Sequence, residues 1–316
     1  MGKLQEKRVH YKPFEHNGAL EFVKLINHTF WTHDELNFDE DIHHFKTMLT
    51  DSEKEVLKRS LLSISQIEVS VKSFWGKLYD YIPKPEFNGL GATFSENEFR
   101  HSEAYSRLLD ELGYEDEFRR LVEIPVFNKM LNLIESEMKS EDIFDRLLFF
   151  TIVVENSSLF TKFANVLAFN RFRKGIMKNV ADVISWTSID ENVHKEAGIY
   201  IINLMIQEGY VVDKERLHKN ILNYVSVENE LLTWIYECGE LDFFTQENML
   251  NFLKNRIDLS IEKIGCDKIF NITDEDLEPM EWFDEEIYSS ASTDFHARRP
   301  VAYSNHNSSV EAEDLY

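Results

Sequence analysis

A chain of 316 residues with 43% hydrophobic side chains can enclose a large core, and 11 glycines with 6 prolines are too few for an all-β chain full of tight turns. A net charge of −23 argues against a nucleic-acid partner, because phosphate backbones demand cations. The two cysteines, Cys238 and Cys266, have no metal-type spacing and build no disulfide framework, which fits reduced thiols in a cytoplasmic protein.

Residues 1–15 are polar and read as an N-terminal arm with no apolar leader. A short helix is expected from His16 to Phe30, then Trp31, a turn through Thr32–Glu35, and a helical stretch from Phe38 to Met48. Thr50-Asp51-Ser52-Glu53 is an N-terminal cap, opening a helix to about Tyr81. Pro83, Pro85, Gly89 and Gly91 predict a crossover from Ile82 to Gly91. A central helix then runs from about Thr93 to Glu111 and stops at Gly113. Glu115–Glu137 is helical with an interruption at Pro125, followed by a helix from Glu141 to about Asn170. Further helices span about Ala181–Gly209, Asp213–Cys238 and Phe243–Ile264. Gly198 lies on the same face as His194 and would let a neighbouring helix approach closely. The longest apolar run, Leu147–Val154, is too short to span a bilayer and ends at Glu155, so no membrane is expected. From residue 288 the chain turns rich in Ser, Asn and His, with Tyr303 and an acidic-apolar end, and reads as a flexible docking tail. The pattern predicts one all-α domain over residues 16–287, between the arm and the tail.

Four carboxylates stand where that domain's core should be apolar. Glu68 fills the slot between Ile64 and Val71 on a stripe of Leu57, Leu61, Ile64, Val71 and Trp75. Glu155 does the same between Ile152 and Leu159. Glu98 and His101 share a helical face with Tyr105, and the Glu-x-x-His pair recurs as Glu191 and His194. A buried carboxylate is costly unless paired or bound to a cation. Two divalent ions would cancel four glutamates, with the imidazoles binding neutral. Two Glu-x-x-His helices plus two helices giving one carboxylate each is the way a helix bundle holds two metals, so the fold is read as ferritin-like with additional helices. Oxygen and imidazole donors without cysteine suit manganese or iron.

These motifs resemble the small, radical-generating subunit of class I ribonucleotide reductase, from Trp31 through Glu98-x-x-His101-x-x-x-Tyr105, a lone Glu155 and Asp190-Glu191-x-x-His194 to the late Tyr303. The resemblance implies that Glu68, Glu98 and His101 hold one metal and Glu155, Glu191 and His194 the other. It implies that Asp190 links His101 to Trp31, that Trp31 relays an electron, and that Glu35 assists with a proton. Tyr105 would occupy the radical tyrosine's position. Tyr303 would pass the radical to a large catalytic subunit, which the tail docks. A homodimer is implied as well.

Two departures bear on the metal. Glu68 stands where most of the family has Asp, and Leu159 follows Glu155 where a Phe is frequent. With the flanking Ser65–Val69 and Pro83–Phe87, the chain is similar to subclass Id, which uses two manganese ions and stores the oxidising equivalent on the metals. Two irons or a mixed manganese/iron pair are the alternatives. The rival readings are a ferritin-like oxidase or monooxygenase with its own substrate, which would not need Trp31, Asp190 or Tyr303, and a metal-storage protein.

Overall fold

The computed structural model describes residues 3–287, the side chains of residues 70–72 excepted. Its helices are α1 (Gly18–His28), α2 (Asp39–Thr47), α3 (Asp51–Gly76), the single turn α4 (Leu78–Tyr81), α5 (Pro85–Leu112), α6 (Glu115–Arg120), α7 (Pro125–Met138) and α8 (Ile143–Phe149). A π-helical segment (Phe150–Ser158) leads into α9 (Phe160–Phe172), followed by α10 (Lys178–Gln207), α11 (Lys214–Ile235), α12 (Gln246–Glu262) and the short α13 (Asp274–Leu277). No strand occurs among the described residues, and the bundle is all-α and ferritin-like as expected.

The local chemistry sets the ends. Thr50 Oγ1 accepts from Glu53 N (3.3 Å) while Glu53 Oε2 accepts from Thr50 N (2.8 Å), a reciprocal cap that starts α3. Gly113 closes α5 in the left-handed region at φ 79°. The predicted crossover to Gly91 is shorter than expected, because α5 already begins at Pro85. Proline at the first helical position loses no hydrogen bond and has the right φ, so it starts this helix instead of breaking it. Pro125 does the same for α7. Gly91, now inside α5, has a packing reason. A Cβ there would lie 2.5 Å from the Trp75 carbonyl oxygen, so its absence lets α5 run against α3.

The core lies between α3, α5, α10 and the π segment with α9, which pack on one another. The stripes around Glu68 and Glu155 are buried: Leu57, Leu61, Ile64 and Trp75 on α3, with the Val71 side chain outside the described residues, and Leu148, Ile152, Leu159, Phe163 and Val166 around Glu155. The stretch Ile143–Phe172 is long and apolar enough to cross a membrane by length and composition, and its most apolar 18-residue window is buried inside the bundle. Residues 3–15 are held against the body. Leu4 and Arg8 are buried, Arg8 pairs with buried Glu86, and Glu86 Oε1 also accepts from the backbone N–H of Glu15 and His16, both at 3.1 Å.

Candidate metal centre

Each of the four central elements delivers its acid at a turn that faces the bundle axis. α3 contributes Glu68, α5 Glu98 and His101, the π segment Glu155, and α10 Glu191 and His194. All six side chains are fully buried. They form two overlapping groups, Glu68–Glu98–His101–Glu191 and Glu98–Glu155–Glu191–His194, each with its candidate ligand atoms within 4.8 Å of one another. Glu98 and Glu191 belong to both groups, so each could serve two candidate cation positions. The π segment replaces part of the uninterrupted helix expected around Glu155. Its widened turns carry Glu155 into the core, and π segments are frequent at functional sites.

The hydrogen-bond accounting decides what this cluster can hold. Asp190 Oδ2 accepts from Trp31 Nε1 (2.8 Å) and Asn97 Nδ2 (2.9 Å), and lies 3.2 Å from His101 Nε2. A carboxylate only accepts, so Nε2 of His101 carries the proton. In the neutral ring Nδ1 is then a lone pair. It faces Glu191 at 3.1 Å, Glu68 at 3.5 Å and Glu98 at 3.6 Å. A lone pair confronting three carboxylates is repulsive unless a cation stands between them. His194 Nδ1 faces Glu98, Glu191 and Glu155 at 3.0, 3.5 and 3.7 Å in the same manner. Both oxygens of Glu68, Glu98 and Glu191, one oxygen of Glu155 and Nδ1 of both histidines have no hydrogen-bond partner, although all are buried. Buried polar atoms are rarely left so. This donor set fits two oxygen- and imidazole-preferring cations.

Without cations, protons take up part of the charge. Burial pushes the Glu68 carboxyl up to about 8, and burial with the Glu191 charge drives Glu155 well above its ordinary range. Burial opposes the charge on His101 and His194 too, yet the carboxylates around them raise both well above the usual imidazole value. Burial would also raise Glu191, but the neighbouring Glu155 carboxyl and the positive charge of the two imidazoles hold it below the normal carboxylate range.

The remaining expected residues fall in different places. Trp31 is buried and its ring stacks on His101 (centroids 5.7 Å apart, 13° between planes), so Trp31, Asp190 and His101 form one continuous contact. Tyr105 is buried and its hydroxyl donates to Thr187 Oγ1 (3.0 Å). Burial, then the Glu68 charge, raises its phenol well above the ordinary value, so it stays protonated. Glu35 stands exposed outside the cluster, with its carboxylate capping Thr32 N at 2.9 Å. Tyr303 and the rest of the tail lie outside the described residues.

Sequence reasoning passed over three contributors. Asn97 holds Asp190, Thr187 receives Tyr105, and Trp75 Nε1 donates to Glu155 Oε1 at 2.6 Å. Asn97 and Thr187 each lie four residues before a metal-facing side chain, His101 and Glu191, so helical phase places them on the same faces.

Comparison with known proteins agrees over most of the chain. Residues 8–279 match the family described as ribonucleotide reductase, small chain. A probable ribonucleoside-diphosphate reductase small subunit of Invertebrate iridescent virus 3 is 22% identical, covering 95% of this chain and 85% of that one. The dimanganese(II) form of NrdF from Streptococcus sanguinis superposes with a TM-score of 0.77 at 16% identity, over 90% of this chain and 99% of that one. The Rnr4 homodimer structure of ribonucleotide reductase from Saccharomyces cerevisiae gives a TM-score of 0.74 at 20% identity, over 91% and 92%.

Proposed function

The chain belongs to the ribonucleotide reductase small-chain family, and from that membership we propose that its buried glutamate–histidine cluster is the dimetal centre of a radical-generating subunit. It is the small subunit of a ribonucleoside-diphosphate reductase, an oxidoreductase that works with a large subunit, and the self-contained oxidase reading is not favoured. The observation that carries the dimetal assignment is the His101 Nδ1 lone pair turned toward three carboxylates because the ring's Nε2 proton is donated to Asp190.

Glu68, Glu98, His101, Glu155, Glu191 and His194 would hold the two ions, with Glu98 and Glu191 placed to serve both. Bound, and once oxidised by an external activating oxidant, the ions would supply a one-electron oxidising equivalent. The protein's part is positional. Asp190 holds the His101 ring in one tautomer and one orientation. The same oxygen binds Trp31, so a metal ligand and an aromatic ring share one carboxylate and a short electron path. Arg100 Nη1 donates to the Trp31 carbonyl (2.7 Å) and fixes the chain at that ring. Glu35 lies in the turn after Trp31, where a proton can be exchanged with solvent. Tyr303 would carry the equivalent onward when the tail, residues 288–316, docks on the large subunit.

Dimanganese is the proposed pair. Its support is Glu68 where most of the family has Asp, flanking sequence like subclass Id, and the likeness to a protein whose structure was determined with two manganese ions. A diiron or mixed pair with Tyr105 as the radical site is the second reading, favoured by the buried, protonated Tyr105 hydroxyl. A homodimer is proposed from exposed Leu25, Phe30 and Phe99, borne by or flanking the mutually packed α1 and α5, and a cytoplasmic location from the two unpaired cysteines. The test is reconstitution with a ribonucleotide reductase large subunit after manganese loading. Tyr105→Phe is expected to retain turnover and show a mixed-valent manganese signal in electron paramagnetic resonance. Turnover that requires iron, with a tyrosyl signal lost in Tyr105→Phe, would overturn the manganese assignment and leave the reductase intact.

A further inference from the structure

The two halves of the cluster are built differently. On the His101 side a chain of hydrogen bonds through Asp190 orients the ring. On the His194 side no such chain exists, because His194 Nε2 has no hydrogen-bond partner among the described residues. His194 is held instead by rings: Phe94 lies 4.2 Å from it and Trp75 6.0 Å, centroid to centroid. The polar control there acts on the carboxylate. Trp75 Nε1 donates to Glu155 Oε1, which leaves only Oε2 facing His194. Glu68, Glu98 and Glu191 keep both oxygens available.

Trp75 is itself tightly fixed. Its indole is fully buried and enclosed edge-on by Phe74, Phe94 and Phe150, at centroid distances of 5.4, 4.9 and 5.6 Å. Its backbone carbonyl is pressed on Gly91, where any side chain would collide. A donor so confined cannot follow Glu155 if that carboxylate rotates.

We infer that Trp75 is a positioning residue that restricts Glu155 to one metal-facing oxygen and thereby makes the two metal positions unequal. The inference rests on the dimetal reading. It assigns the tryptophan of α3 a polar role that its place on an apolar stripe conceals.

The test uses full-length protein and Mn(II). Trp75 is replaced by phenylalanine, and separately by 3-benzothienylalanine, an isostere of the indole in which sulfur replaces N–H. The two binding steps are measured by chelator competition, and the loaded proteins are compared by electron paramagnetic resonance, with circular dichroism as the check on folding. Both substitutions are expected to weaken one step by about 10- to 100-fold, leave the other unchanged and alter the spectrum of the coupled pair. The isostere keeps the packing, so a packing role alone would leave its binding and spectrum as in the native protein. That result overturns the inference and leaves the dimetal reading standing. Native protein that takes up fewer than two Mn(II) overturns both.

Discussion

Asp190 is the residue on which most of the site's chemistry converges. Three donors, from Trp31, Asn97 and His101, meet on one of its oxygens, and Thr29 Oγ1 lies 3.4 Å from the other. Replacing it with Asn removes the charge and offers an amide N–H to the imidazole, so the ring can turn its proton toward the carboxylates. Asp190→Asn is therefore expected to bind the metal at the His101 position about 10- to 100-fold more weakly, with the helical spectrum unchanged. Competition with a chelator measures it, and native-like affinity would remove Asp190 from the ligand-orienting role. Asp190 was legible only through the resemblance to the family, whose motif places an acid beside Glu191. Its partner Asn97 is in helical phase with His101, but that it holds Asp190 shows only once α5 and α10 are brought together.

At the scale of elements, the π segment and α10 meet through a contact with no room to spare. A Cβ on Gly198 would lie 2.2 Å from Thr151 Oγ1 and 2.6 Å from Thr151 Cγ2. Gly198→Ala must separate α10 from the segment that carries Glu155, and overpacking of this kind costs about 1–3 kcal/mol. The melting temperature is expected to fall by several degrees, and Thr151→Ala in the same chain to recover part of the loss, since contacting residues are not additive. Calorimetry of the two single variants and the double variant checks this. Full additivity would mean that the two residues do not press on each other. The close approach was legible from Gly198 in phase with His194, but the π geometry was not. The residues Phe150–Ser158 have an ordinary helical pattern, and only the packing of α8, α9, α10 and α12 around them selects the wider turn.

For the whole molecule, the cluster couples metal binding to folding. Four glutamates and two histidines are buried around it with their ligand atoms mostly unpartnered, and the unfolded chain has no such site. Loading with manganese is expected to raise the melting temperature, since a ligand at 100 times its dissociation constant stabilises by about 2.7 kcal/mol. Equal melting of loaded and chelator-stripped protein would count against the cluster as a cation site. The tail is proposed to serve docking instead of metal binding. Deleting residues 296–316 is expected to leave metal content intact and abolish turnover with the large subunit, and Tyr303→Phe to dock without supporting turnover. Retained turnover after the deletion would remove both roles. The amino-acid sequence by itself determined the helical class, the apolar stripes and the six side chains that interrupt them, because burial periodicity and the cost of a buried charge are local properties of each helix. Only the tertiary structure decided that α5 starts at Pro85, that residues 3–15 are clasped by Glu86, that the helix around Glu155 widens, and that Trp75 spends its N–H on that glutamate. Those outcomes depend on which atoms of distant segments are forced within hydrogen-bonding or van der Waals distance, and no spacing along one helix records the identity of the atom waiting on the next.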